Sequence, residues 1–217
     1  FCTPTSVAAH SLYERRDPYI VPGPGGVLDL TETKFEQDPD MRRVKVSGSK
    51  FHKSEKYMVK LEGAAFGGYR SVCFGGARDR TVVEHIDEII NGVKSRAEKA
   101  IPGMGRDYSL AIHVYGKNGC MGELEPQKEV TSHELGILVV VVAKTQELAD
   151  IVCGFNRRSL HHFEFTGYKA GGSNIAWPVS PLVWQWAPYY EWNIHHLLEL
   201  DDPCECFPME LLEVPGG

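Results

Sequence analysis

The sequence predicts an α+β fold whose core runs β-α-β-β-α-β. Two segments carry apolar residues at helical spacing: Val82, Ile86, Ile89, Val93 and Ala97 in one, and Leu148, Ile151, Val152 and Phe155 in the other. Around them lie stretches with strand alternation, and the continuous apolar run Leu135–Ala143 is the pattern of a central strand buried on both faces. Composition agrees with a globular chain: 217 residues, 42% hydrophobic and 24% charged.

Thr3-Pro4 predicts an N-cap followed by proline at the first helical position, with a short helix to about Arg16, where Asp17-Pro18 stops it. Val21-Pro22-Gly23-Pro24-Gly25-Gly26 reads as a rigid irregular connection rather than a phosphate cradle, since no strand precedes it and no helix follows. Short strands are predicted at 27–30, 33–36 and 43–47. Tyr57–Ala65 and Tyr69–Gly75 flank Gly67-Gly68, a two-residue turn signature, and predict a hairpin. In that hairpin Glu62 faces Cys73, with Val59, Leu61, Val72 and Phe74 on one face and Lys60, Glu62 and Ser71 on the other.

Thr81-Val82-Val83-Glu84 has capping-box spacing and opens the first long helix, which Pro102-Gly103 ends. The strand Tyr108–Tyr115 turns Leu110, Ile112 and Val114 inward and puts His113 and Tyr115 together on the opposite face; Gly116–Gly119 is a turn. Thr145 caps the second helix, and a strand with alternating apolar residues runs Tyr190–Leu200. The order is that of a ferredoxin-like two-layer sandwich, with added N-terminal short strands and a C-terminal extension holding all four Trp residues. Both helices have a single apolar stripe and cover one sheet face, so the other face requires a cover. Residues 1–50 are expected to be the remainder of an upstream α/β domain with linking strands, and residues 51–217 the ferredoxin-like domain.

The formal net charge of −6 and the lack of a basic stripe speak against nucleic acid or an anionic membrane as partner. No apolar run approaches the roughly 20 residues of a bilayer span. The six cysteines are scattered without a disulfide rhythm, which predicts reduced thiols and a cytoplasmic location; Cys73 and Cys153 sit in apolar stretches as small hydrophobes. The chain starts at Phe1 without an initiator Met, so an upstream portion is expected.

The segments Cys2–His10, Pro22–Leu30, Val59–Gly63, Gly68–Arg70, Gly76–Asp79, His113–Gly119, His133–Ile137 and Glu199–Pro203 resemble, in order, the acyclic terpene utilisation (AtuA) family. The resemblance implies a role linked to bacterial breakdown of acyclic terpenes such as citronellol. It also implies a Rossmann-like α/β domain upstream, which would be the natural cover for the open sheet face.

His133-Glu134 lacks the second histidine of a zinc-protease motif, since Ile137 stands there, and Cys204-Glu205-Cys206 has no second ligand pair at zinc-site spacing. No metal site is expected, and the sequence singles out no cofactor. The candidate catalytic set is Glu62, His113, Tyr115 and Asn118: a carboxylate and an imidazole as general acid and base, with Tyr or Asn to hold an oxyanion. That set presupposes neighbouring strands for Glu62 and His113. Arg70 and Arg78 are candidate carboxylate or phosphate binders through the guanidinium fork, and Asn174 is a candidate substrate contact in the loop Gly172-Ser173-Asn174-Ile175. The competing role for Asp79, beside Arg78, is a helix cap. The expected function is acid–base catalysis of the hydratase or lyase kind on small branched carboxylic acids or acyl thioesters. The alternative is a non-catalytic assembly domain, packed on the upstream α/β domain or on a partner subunit, and a homo-oligomer is among the expected partners.

Overall fold

A computed structural model describes residues 2–13, 15–169 and 173–213. Phe1, on which the expectation of an upstream portion rests, lies outside them, as do Glu14 of the first expected helix and Gly172 of the substrate-contact loop. The chain is α+β with mostly antiparallel sheets, and it divides into two units, Phe1–Ala64 with Trp192–Gly217 and Ala65–Glu191.

In the first unit α1 (Pro4–His10) begins as expected: the Thr3 side chain accepts from the Ser6 N–H, and Ser6 Oγ accepts in return from the Thr3 N–H. The helix ends at His10, short of Arg16. Strands β1 (Ile20–Gly23) and β2 (Gly26–Asp29) then form a hairpin across Pro24-Gly25, where the sequence suggested an irregular connection. Pro22 is tolerated because β1 is an outer strand and its missing N–H breaks no ladder. Gly26 is required: its φ is +145°, and a Cβ there would lie 2.1 Å from the His52 carbonyl oxygen. A second hairpin, β3 (Lys34–Gln37) with β4 (Val44–Ser47), precedes β5 (Lys50–Lys53), which pairs with β2.

Strand β6 (Tyr57–Ala77) contributes residues to both units and corrects the expected hairpin. The chain does not turn at Gly67-Gly68 but runs straight through as one strand. The two glycines serve close approach instead: a Cβ on Gly67 would lie 2.7 Å from the Tyr189 ring, and one on Gly68 2.6 Å from the Ala143 carbonyl oxygen. Cys73 therefore pairs with Val139 and Phe74 with Leu138, not with Glu62 and Leu61.

The second unit continues with α2 (Arg80–Glu84) and α3 (Ile86–Ala100), two helices where the apolar stripe predicted one. His85 separates them, its Nδ1 hydrogen-bonded to the Thr81 carbonyl. The cap is Asp79, whose carboxylate accepts from the Thr81 N–H, while Glu84 pairs with Arg80; the Thr81/Glu84 capping box does not form. Next come β7 (Tyr108–Tyr115), β8 (Leu135–Ala143), α4 (Gln146–His161) capped by Thr145, β9 (Trp184–Gln185) and β10 (Tyr189–Leu200). The strand order is β10-β6-β8-β7, with β9 also against β6.

Strand β8 organises the core. Leu135, Ile137, Val139, Val141 and Ala143 are at most 2% exposed and join Ile86, Ile89, Val93, Val152 and Leu160 of the helices in one apolar cluster. On β6 the helix-facing residues are Ser71, Cys73, Gly75 and Ala77, so Ser71 points into the core and not to a polar outer face. Cys73 and Cys153 are buried free thiols, as their apolar surroundings suggested, and a hydrogen bond with Cys73 followed by burial pushes the Cys153 thiol up. No helix among the described residues is long and apolar enough to cross a membrane.

Truncating the central strand tests this arrangement. Ile137→Ala removes a fully buried side chain and is expected to cost about 2–5 kcal/mol in chemical denaturation, whereas Leu138→Ala, one residue on and on the other face, costs much less.

Candidate functional site

Antiparallel pairing fixes what shares the sheet face away from the helices. Directly opposed residues point to the same side, so the rows are Arg70, Val142 and Ser109; then Val72, Val140 and Ala111; then Phe74, Leu138 and His113; and finally Gly76, Gly136 and Tyr115. The face is an apolar platform with a cation at one corner and an imidazole and a phenol at the opposite one. Phe74 is 39% and Tyr115 41% exposed, so the platform is open to solvent at that end. Gly136 keeps it flat, because a Cβ there would lie 3.2 Å from the Phe74 ring and 3.6 Å from Tyr115 Cβ.

His113 and Tyr115 thus lie together on one face, as the strand alternation indicated. His113 is half-buried, and neither side chain has a hydrogen-bond partner among the described residues. Arg70 joins the same face. Its guanidinium carbon stands 5.8 Å from the Tyr189 ring centroid, and its Nε is shielded from solvent with no hydrogen-bond partner among the described residues. From strand spacing and rise, Arg70 and His113 are about 16 Å apart along the diagonal of the platform.

The other sequence candidates go elsewhere. Glu62 belongs to the first unit, and β8 intervenes between the strands of Glu62 and His113, so these two strands are not neighbours. Glu62 pairs with Lys60 and stands 3.7 Å from His195; the Lys60 hydrogen bond foremost holds its carboxyl below the ordinary range. Asn118 closes the turn after β7 through its backbone, donating to the Val114 carbonyl and accepting from the Gly122 N–H. Arg78 is exposed and 4.0 Å from Glu134. Asn174 is buried, and its amide donates to the carbonyls of Phe163 and Leu160, which fixes the chain after α4. His161 and His162 sit at the end of α4 in edge-to-face contact. Among the described residues no group of His, Cys, Asp or Glu is placed to hold a metal ion.

One polar constellation escaped the sequence reading. Ser71, wholly buried, donates to Asp150 Oδ1 at 2.5 Å; Gln146 bridges Ser71 and Asp150, and Gln185 reaches Asp150 Oδ2 at 2.7 Å. A continuous β6 would have revealed it, since Ser71 then alternates with Cys73 and Gly75 toward the helices. Burial pushes the Asp150 carboxyl up, but the hydrogen bonds from Ser71, Gln185 and Gln146 outweigh it and hold the group below its ordinary value near 3.8. These partners tie β6, α4 and β9 together and leave the carboxylate oxygens engaged, so the cluster is structural.

The chain matches the family described as "Acyclic terpene utilisation family protein AtuA" over residues 1–187, and it belongs to that family. No curated protein and no solved structure matches it.

The Asp150 cluster makes a linkage prediction. A depressed folded-state pKa contributes stability that is present above the unfolded value, near 3.8, and is lost as pH falls through the lower folded value. The stability gap between the native protein and Asp150→Asn, followed by denaturant titration, is therefore expected to be widest above pH 5 and to close on acidification.

Proposed function

We propose that this protein acts in the utilisation of acyclic terpenes as an enzyme of the hydratase or lyase kind, on branched carboxylic acids or their acyl thioesters. The observation that carries this reading is the apolar platform of Val72, Phe74, Leu138 and Val140 between Arg70 and His113, open to solvent at its Phe74 end. A branched hydrocarbon chain suits the apolar rows, and an anionic carboxylate or phosphate suits the guanidinium fork of Arg70. His113, whose ring nitrogens have no hydrogen-bond partner among the described residues, is the general base. In a hydration of an acyl thioester whose carrier phosphate lies at Arg70, it takes a proton from water as the oxygen adds to the β-carbon of the conjugated acyl group at the far end of the platform, and returns that proton at the α-carbon. The Tyr115 phenol, on the same face, donates to the enolate oxygen. Glu62, held ionised by Lys60, is outside this set.

The strand order β10-β6-β8-β7 supports a split β-α-β-β-α-β arrangement, with its first and third strands at the centre and both long helices on one side. The same open apolar face favours a second reading, in which it docks an α/β domain or a partner subunit and has no catalytic role. In either reading a cytoplasmic protein with reduced thiols is the natural setting.

Binding and turnover separate the two readings. Citronellate, titrated calorimetrically, is expected to bind the native protein and to lose about tenfold or more in affinity with Arg70→Ala. His113→Gln is expected to keep that affinity while abolishing hydration of an α,β-unsaturated branched acyl thioester. Binding that is indifferent to Arg70 sinks the substrate reading.

A further inference from the structure

Strand β10 ends the sheet order, and among the described residues no strand pairs with it on the side away from β6. It is twelve residues long, and nearly all of it is exposed. A free edge of that length is a template for another strand, and proteins that keep such an edge unpaired blunt it with Pro, Lys or a bulge. Tyr189–Leu200 contains no Pro, Gly or Lys. It instead presents Trp192, 73% exposed, and Ile194, 47% exposed.

We propose that β10 pairs antiparallel with β10 of a second copy of this chain, about a two-fold axis at Asn193. The strand's own side chains select this partner and register. A two-fold axis normal to the sheet keeps each residue on its face, so opposed residues must be an even number of positions apart. Centring on Asn193 sets Trp192 opposite Ile194, an aromatic–β-branched pair, and sets Glu191 opposite His195, an acid–base pair; each contact occurs twice. Centring on His195 would oppose Glu191 to Glu199, like charges face to face. Centring on Leu197 would turn Trp192 toward Asp202 rather than toward an apolar partner. Of these three seats, the one at Asn193 sets the exposed Trp192 and Ile194 against each other and opposes no like charges.

The intact chain tests this by sedimentation velocity and by cross-linking. A dimer is expected for the native protein, weakened by about tenfold or more by Trp192→Lys or by Ile194→Lys. Combining Trp192→Lys with Ile194→Glu places the new ammonium of one copy opposite the new carboxylate of the other, and dimerisation returns. With Cys2, Cys120, Cys204 and Cys206 replaced by Ser, Asn193→Cys is expected to give a disulfide-linked dimer on mild oxidation, because directly opposed strand residues lie within disulfide reach. Leu197→Cys is expected not to. A native monomer at every concentration, a dimer indifferent to Trp192→Lys, or cross-linking at 197 in place of 193 overturns the proposal.

Discussion

Everything in the second unit depends on the alternation of β8. Its five odd-numbered residues, Leu135 to Ala143, are at most 2% exposed and pack against α3 and α4, and each of the four larger side chains is worth about 1.5–3 kcal/mol relative to exposure. A one-residue slip would send that whole set to the other face, so the register of β6 and β7 against β8 is fixed by the helices beneath. Side chains on the outer face are placed as a consequence. Arg70, Phe74, His113 and Tyr115 occupy their positions because Ser71, Cys73, Ile112 and Val114 cannot leave theirs.

The sequence was readable where burial repeats at a single period. β7 and β8 have the limits their patterns indicate, and the apolar stripe of α3 lies on the core from Ile86 to Ala97. It was unreadable where one residue type serves two ends. Gly67-Gly68 has the composition of a tight turn, yet here glycine answers the Tyr189 ring and the Ala143 carbonyl on a continuous strand. That single difference moved Ser71 from an outer face into the core and removed the supposed opposition of Glu62 to Cys73. In the other direction, Val21–Gly26 has the composition of a loop, but only Pro24-Gly25 turns, and its flanks pair. Local chemistry cannot rank these outcomes, because the deciding contacts are with residues far along the chain.

The candidate site divides on the same line. His113 and Tyr115 were recoverable from alternation alone, being two apart on a well-patterned strand. That Arg70 shares their face needs the register between β6, β8 and β7, which no local pattern encodes. Asn174 illustrates the converse: a polar residue in a Gly-rich loop looked available to a ligand, but its amide is spent on two backbone carbonyls at the end of α4. Buried backbone oxygens must be satisfied, and an asparagine close by was the means.

A sheet covered on one side by helices leaves two kinds of unsatisfied surface: a face and an edge. They differ in what they demand. The face offers apolar area without hydrogen-bonding groups along its normal, so a ligand with a hydrocarbon body and a charged end matches it, with Arg70 setting the polarity. The edge offers a row of backbone donors and acceptors, which only another strand satisfies along its length. β6 gives Arg70, Val72 and Phe74 to the platform and also pairs with β10. The proposed catalysis on the platform and the proposed self-association at β10 therefore draw on different side chains.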